Sequence, residues 1–122
     1  MGLVNDERDN HIIPIYLKGP AVELTDDSTP ALPVDTSLIV FDIGGGGAQS
    51  FTLADGTVPG QILTLIAEDA DATNDVSITI ANYVFADFVV VKLDNIDESC
   101  TLMWTGEQWV PLALGVAELD AS

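Results

Sequence analysis

From residue 36 onward, hydrophobic and polar positions follow the short period of β-structure. Val76, Ile78 and Ile80 alternate with Ser77 and Thr79, which predicts a strand with one apolar face and one hydroxyl-bearing face. Cys100, Leu102 and Trp104 alternate in the same way with Ser99, Thr101 and Met103. Residues 36–43 are rich in β-branched and aromatic side chains, and the four glycines 44–47 end that run in a turn or bulge. Residues 49–54 and 60–67 read as two further strands. Between them Asp55-Gly56-Thr57-Val58-Pro59 predicts a hairpin connection, with Gly56 supplying a positive φ. Residues 84–93 are continuous enough in apolar side chains to predict burial on both faces. Thr105-Gly106-Glu107-Gln108 then turns the chain into a last strand over 109–112.

The first 35 residues carry a different pattern. Pro14, Pro20, Pro30 and Pro33 fall here, separated by one apolar patch, Ile12-Ile13-Pro14-Ile15-Tyr16-Leu17, and a polar stretch over 25–29. Proline removes a backbone donor and favours extended chain, so this segment does not form a central strand throughout. Its apolar patch must bury itself, either as an edge strand on its own domain or against a neighbour. The expected organisation is an extended N-terminal arm over 1–35 and a β-domain over 36–122. Seven or eight short strands at regular spacing, with no amphipathic helix, predict an all-β fold: an antiparallel β-sandwich or barrel, jelly-roll-like.

Composition sharpens the functional range. Apolar residues make up 48% of the chain, and the mean hydropathy of +0.33 leaves apolar surface for other subunits. Yet 20 Asp and Glu face only Arg8, Lys18 and Lys92, for a net charge of −17. Such a surface repels phosphate backbones and anionic lipid, so neither nucleic acid nor membrane is an expected partner. No signal-peptide pattern is visible, and no apolar run approaches the length of a membrane span. Cys100 is the single cysteine, so an intramolecular disulfide is impossible, and a buried, inert thiol is expected.

Catalytic patterns are missing from the sequence. His11 is the single histidine, lies in the proline-spaced arm, and has no nucleophile motif to serve. The glycines 44–47 lack the Lys and Ser/Thr of a phosphate-binding loop. Carboxylate pairs are abundant, but among 20 acids chance pairs are inevitable. Trp104 and Trp109 flank a tight turn and read as a packing pair rather than a sugar platform. In the acidic loop 68–75, Glu68, Asp69, Asp71, Asn74 and Asp75 offer oxygen ligands, without the Gly and Glu that complete a calcium loop. A solvated acidic turn is the plain reading, and calcium the alternative to test. No catalytic, cofactor or metal residue is assigned, and the protein is not expected to be an enzyme.

Residues 51–66, FTLADGTVPGQILTLI, resemble a β-module of tailed-bacteriophage structural proteins, especially those of marine and cyanobacterial phages. In that module an Asp-Gly turn and a Gly-Gln pair lead into an apolar strand. An alternating strand matching 76–80 follows, and a hairpin matching Ser99-Cys-Thr-Leu-Met-Trp-Thr-Gly-Glu-Gln-Trp109 closes it. The resemblance covers about half the chain, residues 48–112, and none of its features is catalytic. It implies a virion component of fibre, tail or head surface, commonly homotrimeric. A chain of 122 residues is short for a fibre shaft plus a receptor-binding region, and suits a capsid decoration (cement) protein. The implied partners are the major capsid protein and further copies of the chain. The implied location is the outer surface of the head, after synthesis in the host cytoplasm. Within the arm, Ile13, Ile15 and Tyr16 are the expected partner-binding residues, because an extended apolar patch adds readily to a neighbour's sheet edge. A short tail-fibre or adaptor protein acting in host adhesion is the alternative.

Overall fold

Strands with one sealed face must pair and then stack, and the chain does both. In a computed structural model of the protein, residues 19–115 except 88 are described, together with the backbone of residues 118–120. Nine strands are present among them: β1 (Val22–Leu24), β2 (Leu38–Asp42), β3 (Gln49–Leu53), β4 (Ile62–Asp69), β5 (Val76–Ile80), β6 (Val90–Leu93), β7 (Ser99–Trp104), β8 (Trp109–Gly115) and β9 (Glu118–Asp120). They form a five-stranded sheet in the order β1-β2-β4-β7-β8 and a four-stranded sheet in the order β3-β5-β6-β9. The fold is all-β and two-layered, a β-sandwich.

Its core comes from the inward positions of both sheets. Ile39 and Phe41 of β2, Leu63 and Leu65 of β4, and Leu102 of β7 are sealed on one side. Phe51 and Leu53 of β3, Ile78 of β5, and Val91 and Leu93 of β6 are sealed on the other. Phe41 and Phe51 meet across the layers with ring centroids 5.0 Å apart. Each such large side chain contributes roughly 1.5–3 kcal/mol by leaving water. Cys100 is fully buried among them, and burial pushes its thiol up to about 12, so it stays protonated and inert.

The ladders are mixed rather than purely antiparallel. β1, β2 and β4 run parallel, as do β3 and β5. β4-β7-β8 and β5-β6-β9 are antiparallel. Parallel neighbours need a crossover, and for β2–β4 and β3–β5 a strand of the opposite layer supplies it, while β1 and β2 are joined by the loop 25–37. The chain passes from β2 to β3 in the other sheet, back to β4, and over again to β5.

That path corrects the expected hairpin over 55–59: the segment is an arch between layers. Gly56 has no positive φ, whereas Gly60 does, at 93°. A side chain at position 56 is excluded for another reason, since a Cβ there would lie 2.6 Å from Trp104 Cβ. The run 84–93 is likewise a strand only over Val90–Leu93. Residues 84–87 are irregular, and Phe85 is largely exposed, edge-on to Tyr83.

The described part of the segment 1–35, residues 19–35, runs along the β-domain. β1 pairs with β2, Leu32 is buried in the core, and Leu32 and Thr52 exchange backbone bonds with Thr52 and Pro30. Asp27 braces β3 through bonds to Ser50 N and from its own N–H to Gln49 Oε1, each 2.8 Å. Residues 1–18, with Ile13, Ile15 and Tyr16, lie outside the described residues.

Candidate interaction surface

The segment 54–61 and the Trp104–Trp109 hairpin, some forty residues apart in sequence, meet in space as one structural cluster. Trp104 and Trp109 sit opposite each other on β7 and β8, with ring centroids 5.5 Å apart and planes tilted by 59°. Gly60 N–H donates to Trp104 O at 2.7 Å, and Trp104 N–H donates to Gln61 O at 2.9 Å. The Trp109 indole N–H reaches Ala54 O at 2.9 Å. Gln61 is fully buried. Its Oε1 accepts from Thr57 N at 2.8 Å, and its Nε2 donates to Val34 O. These residues hold the arch, the hairpin and the 30–36 segment together. They are a packing device, as the tryptophan spacing predicts, and present no open sugar platform.

The outward face of the five-stranded sheet is the more informative surface. Successive rows across it read Glu23, Val40, Ile66, Ser99, then Leu38, Thr64, Thr101, Ala113, then Ile62, Met103, Val110. Solvent-side positions of a strand are normally polar. Here Leu38, Val40, Ile62, Ile66, Met103 and Val110 are apolar and half-buried. The central hydroxyls, Thr64 and Thr101, bond each other at 3.1 Å. No charge interrupts the face between Leu38 and Val110, in a chain where 19% of residues are charged. β8 continues this face at the sheet margin with Val110 and Ala113, which lie opposite Met103 and Thr101. β8 is the last strand of this sheet among the described residues, and its first residue, Trp109, bridges on the outer side to Tyr83.

Carboxylates gather at one end of this face. Glu23, Asp42 and Glu68 lie at the ends of β1, β2 and β4, with one oxygen from each within 4.8 Å of the others. The Asp42 carboxylate, with smaller contributions from burial and Glu23, pushes the Glu68 carboxyl above the ordinary glutamate range. A carboxyl raised in the folded state adds stability at low pH and loses it as pH rises through that value. Glu68→Gln should therefore raise the melting temperature at pH 7 and leave it unchanged at about pH 3, where glutamates are protonated. Thermal scans at the two pH values check this, and an equal shift at both would contradict the repulsion.

The acidic loop 68–75 closes on itself. The Asp71 carboxylate accepts from Thr73 N and Oγ1, both at 2.9 Å, and from Asn74 N at 2.8 Å. The Thr73 hydroxyl, then these backbone donors, hold its carboxyl below the usual range. Lys92, the one cation among the described residues, pairs with Asp75 at 3.6 Å. Glu98 is buried and accepts from Asp94 N at 2.7 Å, so it serves a turn, and burial raises its carboxyl.

The structure places the sequence-predicted contact residues Ile13, Ile15 and Tyr16 outside the described residues, and it brings forward a surface that sequence reasoning passed over. The missed signal was present in β2 and β4, whose outward positions are as apolar as their inward ones: Leu38-Ile39-Val40-Phe41 and Ile62-Leu63. No protein-family model matches the chain, and no curated protein matches it in sequence.

Proposed function

We propose that this protein is a decoration protein of a tailed-phage head, binding the outer surface of the mature shell and clamping neighbouring capsid subunits. The observation that carries the reading is the contrast between its surfaces. A largely apolar stretch of sheet face, uncharged from Leu38 to Val110, stands against a chain that is otherwise strongly acidic. Contiguous apolar surface of this kind marks protein–protein contact, and acidic flanks discourage association with packaged DNA. The resemblance of residues 48–112 to a phage structural module supplies the setting.

The mechanism is mass action. Copies that bind the assembled shell better than its separated subunits stabilise it, by about 2.7 kcal/mol per site when free protein is a hundredfold above its dissociation constant. Ile13, Ile15 and Tyr16 of the arm are the proposed contacts with the major capsid protein, and a homotrimer is the proposed assembly unit. Undecorated heads titrated with the protein should break at a higher temperature, in proportion to bound copies and up to saturation. Heads whose disassembly temperature is unmoved at saturating protein would contradict the clamp.

A further inference from the structure

The chain between β5 and β6 leaves its own sheet and touches the other before it returns. We propose that residues 82–85 are a clasp that shuts the β8 margin of the sandwich and opens as a unit while both sheets stay paired.

Path is the first support. β5 and β6 are antiparallel neighbours in the four-stranded sheet, and Ile80 N–H continues their ladder by donating to Val89 O at 2.8 Å. Ala81 N–H still bonds within that layer, to Leu53 O at 2.9 Å. At Asn82 the backbone turns with φ at 49°, a left-handed conformation that asparagine tolerates better than most side chains. The chain then meets the other layer, where Tyr83 forms a parallel bridge with Trp109. Trp109 N–H donates to Asn82 O, and Val84 N–H donates to Trp109 O, both at 2.9 Å. This excursion lies outside the β5–β6 ladder, so it can lift from β8 and leave that ladder whole.

The fastening is the second. A further rung between clasp and β8 would need Pro111 to donate to Val84 O, and proline has no N–H. The bridge therefore stops after one residue of β8. An exposed side-chain bond, from Asn82 Nδ2 to Asp55 Oδ1 at 2.8 Å, ties the clasp to the arch. Phe85 covers Tyr83 edge-on, with ring centroids 5.8 Å apart, and is itself largely exposed.

Tyr83 supplies the drive to open. Its ring belongs to the core, yet its hydroxyl is buried with no hydrogen-bond partner among the described residues. A buried polar group left unpaired favours any state that hydrates it. Opening hydrates this hydroxyl and bares the Trp109 end of β8, the strand on which Leu112 and Leu114 are already exposed. Elements of low local stability open in this way without global unfolding.

Native-state hydrogen exchange of the full-length protein, followed by NMR, tests the clasp at a single residue. The Trp109 backbone N–H bonds to the clasp, whereas its indole N–H bonds to Ala54 O in the arch. The proposal predicts that the Trp109 and Val84 backbone N–H groups open together and are protected about a hundredfold less than the indole. Their exchange should depend little on sub-denaturing urea, while the indole accelerates steeply, as groups released by global unfolding do. Tyr83→Phe should slow both backbone groups by about tenfold, because the closed form no longer buries an unpaired hydroxyl. Equal urea slopes for the backbone and indole groups of Trp109 would overturn the proposal by showing no separate opening. Unchanged or faster backbone exchange in Tyr83→Phe would overturn it by showing that the hydroxyl does not drive the clasp open. Neither readout depends on shell binding, so the proposed function stands or falls separately.

Discussion

Replacing Trp109 with alanine should cost about 3–5 kcal/mol of unfolding free energy, the range for deleting a large aromatic side chain from a packed core. Trp109 is fully buried and sits where three elements converge. Its ring packs on Trp104 across the β7–β8 hairpin. Its indole N–H ties the hairpin to Ala54 at the start of the arch. Its backbone accepts from Val84 N and donates to Asn82 O, both at 2.9 Å, anchoring the loop after β5. Alanine removes the ring and leaves Ala54 O without its donor, while the surrounding backbone holds the cavity open. Urea denaturation followed by far-ultraviolet circular dichroism measures the loss. Trp109→Phe, which keeps most of the volume, should lose about half as much or less. A Trp109→Ala loss below about 1 kcal/mol would show that the hairpin does not organise the arch.

Gln61→Ala should cost about 2–4 kcal/mol, an unusual size for a polar side chain. The amide is fully buried and spans two segments distant in sequence. Its oxygen receives Thr57 N–H and its nitrogen serves Val34 O. Alanine removes the partner that each of these backbone groups finds in Gln61, at about 0.5–1.5 kcal/mol per lost hydrogen bond, and leaves a cavity where the amide was buried. Gln61→Leu separates the two contributions, because leucine fills the space and restores neither bond. If the loss is mainly polar, the leucine variant will be nearly as unstable as the alanine variant. Recovery with leucine would mean that volume alone holds the arch.

These two residues show how far the sequence carried the fold. Alternation over 76–80 and 99–104 located two strands and their buried faces directly, because period-two patterning reports one-sided burial. The Trp104–Trp109 contact followed from their spacing around a tight turn. Layer assignment did not follow. Asp55-Gly56 has hairpin chemistry, yet its neighbours on either side join different sheets. What selects the glycine is the Trp104 side chain, 48 residues further on, a contact no local pattern contains. Parallel pairing of β2 with β4 is hidden for the same reason, since its crossover is a strand rather than a helix.

The apolar outer face proposed as the contact surface was partly legible. Hydropathy above what one core needs signalled apolar surface in excess, and the continuous apolar stretches in β2 and β4 locate it once the layers are known. The run 84–93 drew the two-faced reading instead, although its first half is irregular and Phe85 is 45% exposed. Composition cannot distinguish an apolar residue facing a core from one facing a partner. Register can, because Val40 opposite Ile66 and Ile62 opposite Met103 place those side chains on the outside.

The measurement that tests the proposed function most directly is cosedimentation of the purified protein with expanded phage heads lacking it, alongside procapsids and tails. The account predicts saturable binding to expanded heads alone, in hundreds of copies per particle, weakened by Ile13→Asp with Ile15→Asp while the circular dichroism of the fold is unchanged. Binding to tails, or to host cells and not to heads, would contradict it and make the protein an adhesion component.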